Sequence, residues 1–589
     1  MPALNHISFS SFGRISRAWC FFFLLIQINA HGQHQLEIVQ FGVKGEPEKP
    51  SNHKKFHNNE KLAEQEVYRY LAGLIANGHA AASLDSLVKT GNLTKAYIFA
   101  GASYQWIKLG AGNVDEAILS KTGYREKLYR NKTFNHSKLE RMMTRMLDAY
   151  ENYGYPFARL QLDQLMMNGE KVEAELKAVT GNRYIIDSVN IKGKAKISSR
   201  FIENYIGIKP GDVYNESLIR AMGTRIREIP FVREAKPAQV ILLEDKAVIR
   251  LELNERKASQ FNGMLGFLPN SDQTGRLLLT GEAVMKLRNS LGRGELIEAE
   301  WRRLQVATQR LDVNVEYPFI LNTPFGIDGE FHLYKRDSTF INLQRSFGVQ
   351  YLFGGNNYLK AFVENRSSSL LNTRNFQYIT VLPDFADISS NQYGLELSSE
   401  NLDYRFNPRK GLRAKVKAST GIRNIRQNSA LNPVLYEGLN LRTIQWTGTA
   451  DIDFFIPLGA QSTFVPGVLS HLITGENLFE NELFLIGGFN SLRGFDDESI
   501  FASFFTMLNL EYRYLFEENS YFSLFWNGAY YENTSRNRNI IDRPFGIGVG
   551  LSFETGAGIF NISYAIGRQF DNPLQFRNAR VHFGITSLF

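Results

Sequence analysis

The chain of 589 residues has a single cysteine, and it lacks an apolar run long enough for a membrane-spanning helix. Such a helix needs roughly 18 to 20 consecutive apolar residues, so a helical membrane protein is excluded. The net charge of +8 is spread along the chain without a dense basic block, which argues against nucleic acid as a partner. A solvated surface with some attraction to anionic lipid explains the charge more simply.

The residues that could act in catalysis or bind a metal do not form a recognisable site in the sequence. The histidines are scattered, and neither metal-ligand spacing nor a nucleophile-base-acid arrangement is recognisable. The glycine-rich "GIGVG" (546–550) alternates like a strand and precedes no helix, so it lacks the phosphate-cradling mechanism. Asp451 and Asp453 are more simply polar residues on one face of a strand. We therefore predict no enzymatic activity, no metal site and no cofactor.

The N-terminus predicts export. Arg14 and Arg17 precede the apolar run at 18–28, and small Ala30 follows it. This order is typical of a secretory signal peptide, predicted here over residues 1–30, with a buried N-terminal strand as the alternative. Cys20 would leave with the signal, so the mature chain would have no thiol and no disulfide.

The pattern of the chain changes near residues 254–263. Before this point helix and strand patterns are mixed, whereas after about residue 259 helix signals nearly vanish. We predict three small α+β domains over residues 31–101, 102–182 and 183–257, followed by an all-β domain over 258–589.

The third small domain has the clearest pattern. A strand at 184–193 is followed by two helical stretches, separated by a Pro-Gly break, and then by two β-rich runs at 239–255. Similar helix-glycine-strand junctions mark the two earlier units, of which the first is incomplete and matches least specifically. These units resemble POTRA domains, the periplasmic modules that precede certain outer-membrane barrels. A short sheet with an open edge can accept an extended client segment as an added strand.

The C-terminal region alternates apolar and polar residues with period two. In "PFGIGVGLSF" (544–553) large apolar residues occupy one face and small residues the other, and residues 311–317, 446–454 and 560–567 behave alike. The region divides into roughly sixteen runs of about ten residues with aromatic-rich ends, typical of transmembrane barrels. Closing the sheet into a barrel provides a hydrogen-bond partner for every backbone N–H and C=O group in lipid. We predict a 16-stranded antiparallel transmembrane β-barrel and disfavour a soluble all-β fold.

One loop, at about 474–503, is far longer than a hairpin requires and joins the predicted eleventh and twelfth strands. Long ordered loops are usually functional. Its residues Leu492, Arg493, Gly494 and Phe495 match the (V/I/L)-R-G-(F/Y) motif in the sixth extracellular loop of the BamA/TamA superfamily of outer-membrane assembly and translocation proteins. The chain resembles this superfamily over essentially its whole mature length.

The resemblance implies that the loop tip reaches into the barrel lumen. A guanidinium offers a bidentate fork to carboxylates on the inner wall. Glu511 matches the acidic position of the family, whereas Asn527 stands where aspartate is frequent, so its bond to Arg493 would be weaker or differently placed. Glu511 is therefore the first expected partner of Arg493. An ordinary surface-loop arginine is the alternative.

Glycines on the inner face of a late strand would leave room for this loop, namely Gly546, Gly548 and Gly550. The resemblance also implies a weakly paired lateral seam between the first and last strands. Gly263, Gly266 and Gly584 would lie there, because glycine weakens strands. The terminal Phe589 belongs to the same seam and resembles the C-terminal signal of outer-membrane proteins.

The resemblance implies a protein of the bacterial outer membrane with POTRA domains in the periplasm. Its expected function is to receive unfolded outer-membrane or secreted proteins and to insert or translocate them through the barrel, in contact with outer-membrane lipid. Three modules favour a TamA-like protein, with a periplasm-spanning TamB-like partner. The alternatives are a two-partner-secretion transporter and a passive outer-membrane channel.

Overall fold

The computed structural model describes residues 34–269, 277–305, 308–354, 356–373, 378–404, 407–488, 491–496, 498–555, 558–570 and 572–586. The predicted signal peptide and Phe589 lie outside these ranges. The chain divides into two compact units, one of residues 1–183 with 214–216, and one of residues 184–213 with 217–589. Within the described ranges, helices of the length and apolarity needed to cross a membrane are absent.

The first small domain packs one helix on a mixed sheet. Its elements are β1 (His34–Phe41), β2 (Pro47–Glu48), β3 (Phe56–His57), α1 (Glu60–Ala76), β4 (Ser83–Thr90) and β5 (Leu93–Phe99). The sheet order is β2-β1-β5-β4, with β1 and β5 parallel. The Asn59 side chain caps α1 by accepting from the Leu62 amide. Val67 of the helix is buried with Leu36, Ile38 and Ile98 of the sheet.

The second small domain repeats this plan with an additional short helix. Its elements are β6 (Gln105–Gly110), α2 (Glu116–Thr122), β7 (Lys132–Thr133), α3 (His136–Asn152), β8 (Arg159–Asn168) and β9 (Lys171–Val179). The sheet order β7-β6-β9-β8 leaves β8 at one edge. Met142 and Met146 lie one helical turn apart and are buried against Trp106, Leu109 and Leu176 of the sheet.

The third small domain has the predicted order β-α-α-β-β. Its elements are β10 (Ile185–Lys192), α4 (Ser199–Ile206), α5 (Glu216–Glu228), β11 (Val232–Leu243) and β12 (Lys246–Glu255), with sheet order β10-β12-β11. Gly207 caps the C-terminus of helix α4, and its φ of 73° is in the left-handed conformation that glycine adopts most readily. Ile202, Ile226, Ile249 and Leu253 form its core.

The all-β region is one antiparallel sheet with 17 strands in the described residues. In sheet order they are β13 (Gln260–Pro269), β14 (Leu277–Arg288), β15 (Leu296–Gln305), β16 (Thr308–Tyr317), β17 (Phe325–Arg336), β18 (Phe340–Gly354), β19 (Asn357–Leu370), β20 (Asp387–Leu402), β21 (Gly411–Arg426), β22 (Arg442–Pro457), β23 (Ser462–Thr474), β26 (Phe504–Leu515), β27 (Tyr521–Asn533), β28 (Ile540–Asp542), β29 (Phe545–Thr555), β30 (Gly558–Arg568) and β31 (Arg580–Thr586). Two further strands, β24 (Phe484–Ile486) and β25 (Ile500–Ala502), form a separate hairpin.

The sheet has 17 strands but 16 positions around it, because the short strand β28 and strand β29 share one position. Both β28 and β29 pair with β27, β28 at residues 531–533 and β29 at residues 521–528. Pro544 separates the two and has no amide to donate, although its carbonyl accepts from Ala529. Sixteen strand positions therefore remain, as the alternation predicted. The sheet curls until Cα atoms of β13 and β31 approach within 8 Å.

The polarity of this sheet is the reverse of that in a soluble protein. On β18, Phe347 is 54% exposed and Tyr351 is also exposed, whereas Ser346 and Gln350 are buried. On β26, Leu508 is exposed outward while Glu511 lies on the opposite, inner face. An apolar outer face and a polar inner face are what a barrel in lipid requires.

Candidate functional site at the arginine loop

The long loop is itself a folded element. Strands β24 and β25 pair at its base, with Ile486 opposite Ile500. Beyond them, Gly487 and Gly488 have φ of 119° and 96°, which favours glycine at both positions. The Gly487 amide donates to Ser491 Oγ at 2.9 Å and the Gly488 amide to the Leu492 carbonyl at 3.1 Å. These bonds form the turn that presents the motif.

Leu492 secures the motif to the inner wall by apolar contact. Its side chain is fully buried in a cluster with Ile486 and Ile500 of the loop and with Phe505 and Met507 of β26. Burying a leucine side chain contributes about 1.5–3 kcal/mol. The loop therefore rests on the wall even before its polar contacts are considered.

Arg493 contacts both predicted partners. Its Nη1 donates to Glu511 Oε2 at 2.9 Å, and its Nε donates to Asn527 Oδ1 at 2.8 Å. The guanidinium carbon lies 3.5 Å from the centre of the Phe525 ring, close enough for a cation–π interaction. Asn527 donates through Nδ2 to Asn509 Oδ1 at 2.8 Å. That bond turns the amide oxygen of Asn527 toward Arg493, so an asparagine serves where the family often has aspartate.

Glu511 lies between two arginines, a feature that the sequence did not predict. Arg513 Nε donates to Glu511 Oε1 at 2.7 Å, while its Nη1 donates to Asn407 Oδ1 at 3.1 Å. The sequence did place Glu511 and Arg513 two residues apart on one strand, and residues at that spacing share a face. One carboxylate thus compensates two cations at the centre of the site.

Close backbone contact between the loop and the wall depends on glycine. Gly494 has φ of 94°, and a Cβ there would lie 2.8 Å from the Gly567 nitrogen. A Cβ on Gly546 would lie 1.9 Å from the Arg493 carbonyl oxygen. The expectation that three inner-face glycines admit the loop is correct only for Gly546. A Cβ on Gly548 would instead lie 2.3 Å from the Tyr564 carbonyl oxygen and 2.6 Å from the Phe525 ring, and one on Gly550 would lie 2.6 Å from Ser523 Oγ.

A second attachment, between Arg423 and Glu482, was not predicted from the sequence. The fully buried Arg423 of β21 donates through Nε and Nη2 to the two carboxylate oxygens of Glu482, each at 2.6 Å. It also donates to the carbonyls of Glu476 and Asn477 at 3.0 Å. The partners are 59 residues apart in sequence, so no local pattern predicted this pair.

Two acidic residues after the motif make further contacts with the wall. Glu498 Oε1 accepts from Arg310 Nη1 of β16 at 3.0 Å. Asp496 Oδ2 accepts from Arg580 Nη2 of β31 at 3.0 Å. Both Asp496 and Arg580 are substantially exposed, so this pair stabilises the loop weakly. The loop is therefore attached to strands at several positions around the barrel.

The predicted seam glycines all lie in strands that pair on one side. Gly263 faces Ala283, Gly266 faces Thr280 and Gly584 faces Asn561. In the described part of the chain, β13 and β31 approach each other without backbone pairing. Opening at this seam remains a prediction.

The fold and the site together define a class of protein. In this class, small POTRA-like domains precede a large barrel with an apolar outer face, and a long loop is folded against the inner face of the barrel. The family model described as "Omp85 superfamily domain" matches residues 289–589, and the POTRA model described as "Surface antigen variable number repeat" matches residues 184–255. The chain belongs to the Omp85 superfamily. The barrels of this family reside in the bacterial outer membrane, with their POTRA domains in the periplasm.

Two solved structures of CdiB show the same fold at low sequence identity. CdiB from Escherichia coli is 15% identical with a TM-score of 0.52, covering 90% of this chain and 97% of that chain. CdiB from Acinetobacter baumannii is 12% identical with a TM-score of 0.51, covering 83% and 90%. BamA from Haemophilus ducreyi lacking POTRA domains 1–3 is 14% identical with a TM-score of 0.43, covering 82% and 100%. A search of the curated proteins gave no match.

Proposed function

We propose that this protein is an outer-membrane assembly factor, which receives unfolded clients on its POTRA domains and inserts or translocates them through the barrel. In this proposal the chain lies in the bacterial outer membrane with its small domains in the periplasm, and it performs no catalytic chemistry. Membership of a family that handles protein clients supports the proposal. The observation that carries it is the edge strand of the second small domain.

Edge strand β8 exposes three consecutive apolar side chains, Leu165, Met166 and Met167. A regular strand would alternate, but the register shifts between Asp163 and Met166 and Gln164 has φ of 50°. In the part of the chain that the structure describes, β8 pairs only with β9. Proteins usually protect such edges with charge, and flexible methionines suit varied apolar partners. This edge fits an extended, apolar client segment.

The loop argues against a passive solute channel. Its residues line two cavities, one of about 330 Å³ beside Glu482 and Glu498 and one of about 290 Å³ beside Arg493. A passive solute channel needs neither POTRA-like domains nor a loop anchored through this arginine motif. A protein that inserts or translocates polypeptides can use the loop to stabilise the inner face of its barrel.

Site-specific photocrosslinking in cells tests the client edge. A photoreactive residue at Met166 should crosslink to newly exported barrel proteins. The same residue at Leu128 is the control, because Leu128 is apolar and 46% exposed in the same domain but lies off the sheet edge. Equal crosslinking at the two positions, or none at Met166, would remove the edge from the proposal.

Depletion followed by outer-membrane proteomics separates the candidate functions. Broad loss of barrel proteins is the expected result. Loss of one secreted protein would favour the two-partner-secretion alternative, which the CdiB likeness supports at the level of fold alone. Altered permeability without protein loss would favour the channel. Affinity purification from crosslinked cells would test for the periplasm-spanning TamB-like partner.

A further inference from the structure

The base of the barrel carries a basic cavity that the proposed function does not use. It measures about 950 Å³ and lies between the third small domain, the linker into β13 and the turn from β14 to β15. Its charged lining residues are Lys196, Glu255, Arg256, Lys257, Arg288 and Arg293. Five cations and one anion leave a strong positive excess at this place.

The cavity is built on an ordered frame. Asn289 Nδ2 donates to the Lys196 carbonyl at 2.9 Å, and the Ser198 amide donates to the Gly292 carbonyl at 2.8 Å. Within the turn, the buried Glu295 accepts from the amides of Leu291 and Arg293. The turn and the small domain are therefore joined by hydrogen bonds, which fix the backbone positions that carry basic residues around the cavity.

The position of the cavity indicates what fills it. The turn lies at the end of the barrel where the linker enters β13, and the apolar outer face of β14 begins beside it, with Met285 exposed. Leu291 at the tip of the turn is 68% exposed. An exposed leucine beside arginine and lysine is typical of protein that sits at the headgroup level of a bilayer.

We propose that this cavity binds the phosphate of an anionic glycerophospholipid in the leaflet facing the small domains, with Leu291 contacting the acyl region. Lys196, Lys257 and Arg293 supply the exposed cations. The site would hold the third small domain against the membrane surface beside the first barrel strand. The proposal is independent of which client the protein handles.

Native mass spectrometry of the full-length protein in a neutral detergent tests this site, with phosphatidylglycerol as the probe and phosphatidylcholine as the comparison. The wild type should prefer phosphatidylglycerol. The triple variant Lys196→Gln, Lys257→Gln, Arg293→Gln should lose the preference by at least about tenfold, since each basic residue near a membrane surface contributes several-fold. The charge-preserving variant Lys196→Arg, Lys257→Arg, Arg293→Lys should retain it.

A matched control removes the same charge elsewhere, in the variant Lys410→Gln, Arg442→Gln, Arg577→Gln. All three of those residues are exposed outside the cavity, so the control should keep the lipid preference. Heat-dependent gel mobility verifies that each barrel is folded. The six substituted residues are exposed or partly exposed. The single variant Lys257→Gln repeats the test with the loss of only one charge. Equal lipid binding by the wild type and the first triple variant would overturn the proposal, and so would displacement of phosphatidylglycerol by equimolar inorganic phosphate.

Discussion

Glu511 compensates two arginines, which makes two single substitutions in the loop site unequal. In Arg493→Ala, Glu511 keeps its bond to Arg513, so the carboxylate is not left without a cation. In Glu511→Gln, Arg493 and Arg513 lose the carboxylate that they share, and two like charges remain close together. We therefore expect Glu511→Gln to release the loop more than Arg493→Ala does.

The size of each effect follows from the contacts removed. Arg493→Ala loses one charge-assisted bond, one bond to Asn527 and the contact with the Phe525 ring. Charge-assisted bonds are worth about 1.5–3 kcal/mol each, whereas the larger cost of about 3–5 kcal/mol applies where a buried charge is left uncompensated, as it is in Glu511→Gln. An effect of about 3 kcal/mol on loop opening corresponds to roughly a hundredfold change in the equilibrium. For Glu511→Gln we expect a further increase of several-fold.

Hydrogen exchange of the full-length protein in lipid nanodiscs measures this opening. The amides of Gly487, Gly488 and Ser491 report on it, because each is hydrogen-bonded within the loop turn. Their exchange should accelerate about a hundredfold in Arg493→Ala and more in Glu511→Gln, while Arg442→Ala at an exposed site changes nothing. If Arg493→Ala accelerated exchange as much as Glu511→Gln, the sharing of one carboxylate between two arginines would be refuted.

Three further predictions concern the same loop and the client edge. Arg423→Leu should lower the free energy of unfolding by about 3–5 kcal/mol in urea titration, because it leaves the Glu482 carboxylate buried without a cation. Adding Glu482→Leu should restore part of the loss, since the buried charge is then removed as well. An equal loss in the single and double variants would contradict this reasoning. Gly546→Ala should speed exchange of the loop amides as Arg493→Ala does, since its Cβ would lie 1.9 Å from the Arg493 carbonyl; unchanged exchange would show that the wall yields there. Met166→Lys should reduce client crosslinking from a photoreactive residue at the neighbouring, exposed Leu165 without lowering the melting temperature of the protein, and a fall in melting temperature would indicate a structural role for Met166 instead.

The fold class could be predicted from sequence because its signals are local. Period-two alternation assigned Glu511 to the inner face and Leu508 to the outer face before any strand pairing was known. The count of sixteen strand positions followed from the same pattern. The short strand β28 was not expected, because a break at Pro544 divides one strand position into two pieces.

The site was only partly predictable. The loop motif led to Arg493 and to two expected contacts, and the structure brings these residues together. The motif itself does not indicate that Arg513 shares Glu511, although their two-residue spacing places both on one face, or that Arg423 binds Glu482 across 59 residues of sequence. Of the three glycines expected to admit the loop, only Gly546 faces its backbone. Which inner-face groups meet depends on how far neighbouring strands are staggered.

The outward-facing and inward-facing residues of the strands could be assigned from sequence alone, since both follow from the two-residue repeat of a strand. Glycine and proline likewise marked where the chain turns. Tertiary folding sets which inner-face charges pair, how the loop attaches at Arg423 as well as at Arg493, and that basic residues from 196 to 293 surround one cavity. Those arrangements join residues far apart in the chain, and their distances exist only once the sheet has curled and the loop has folded against it.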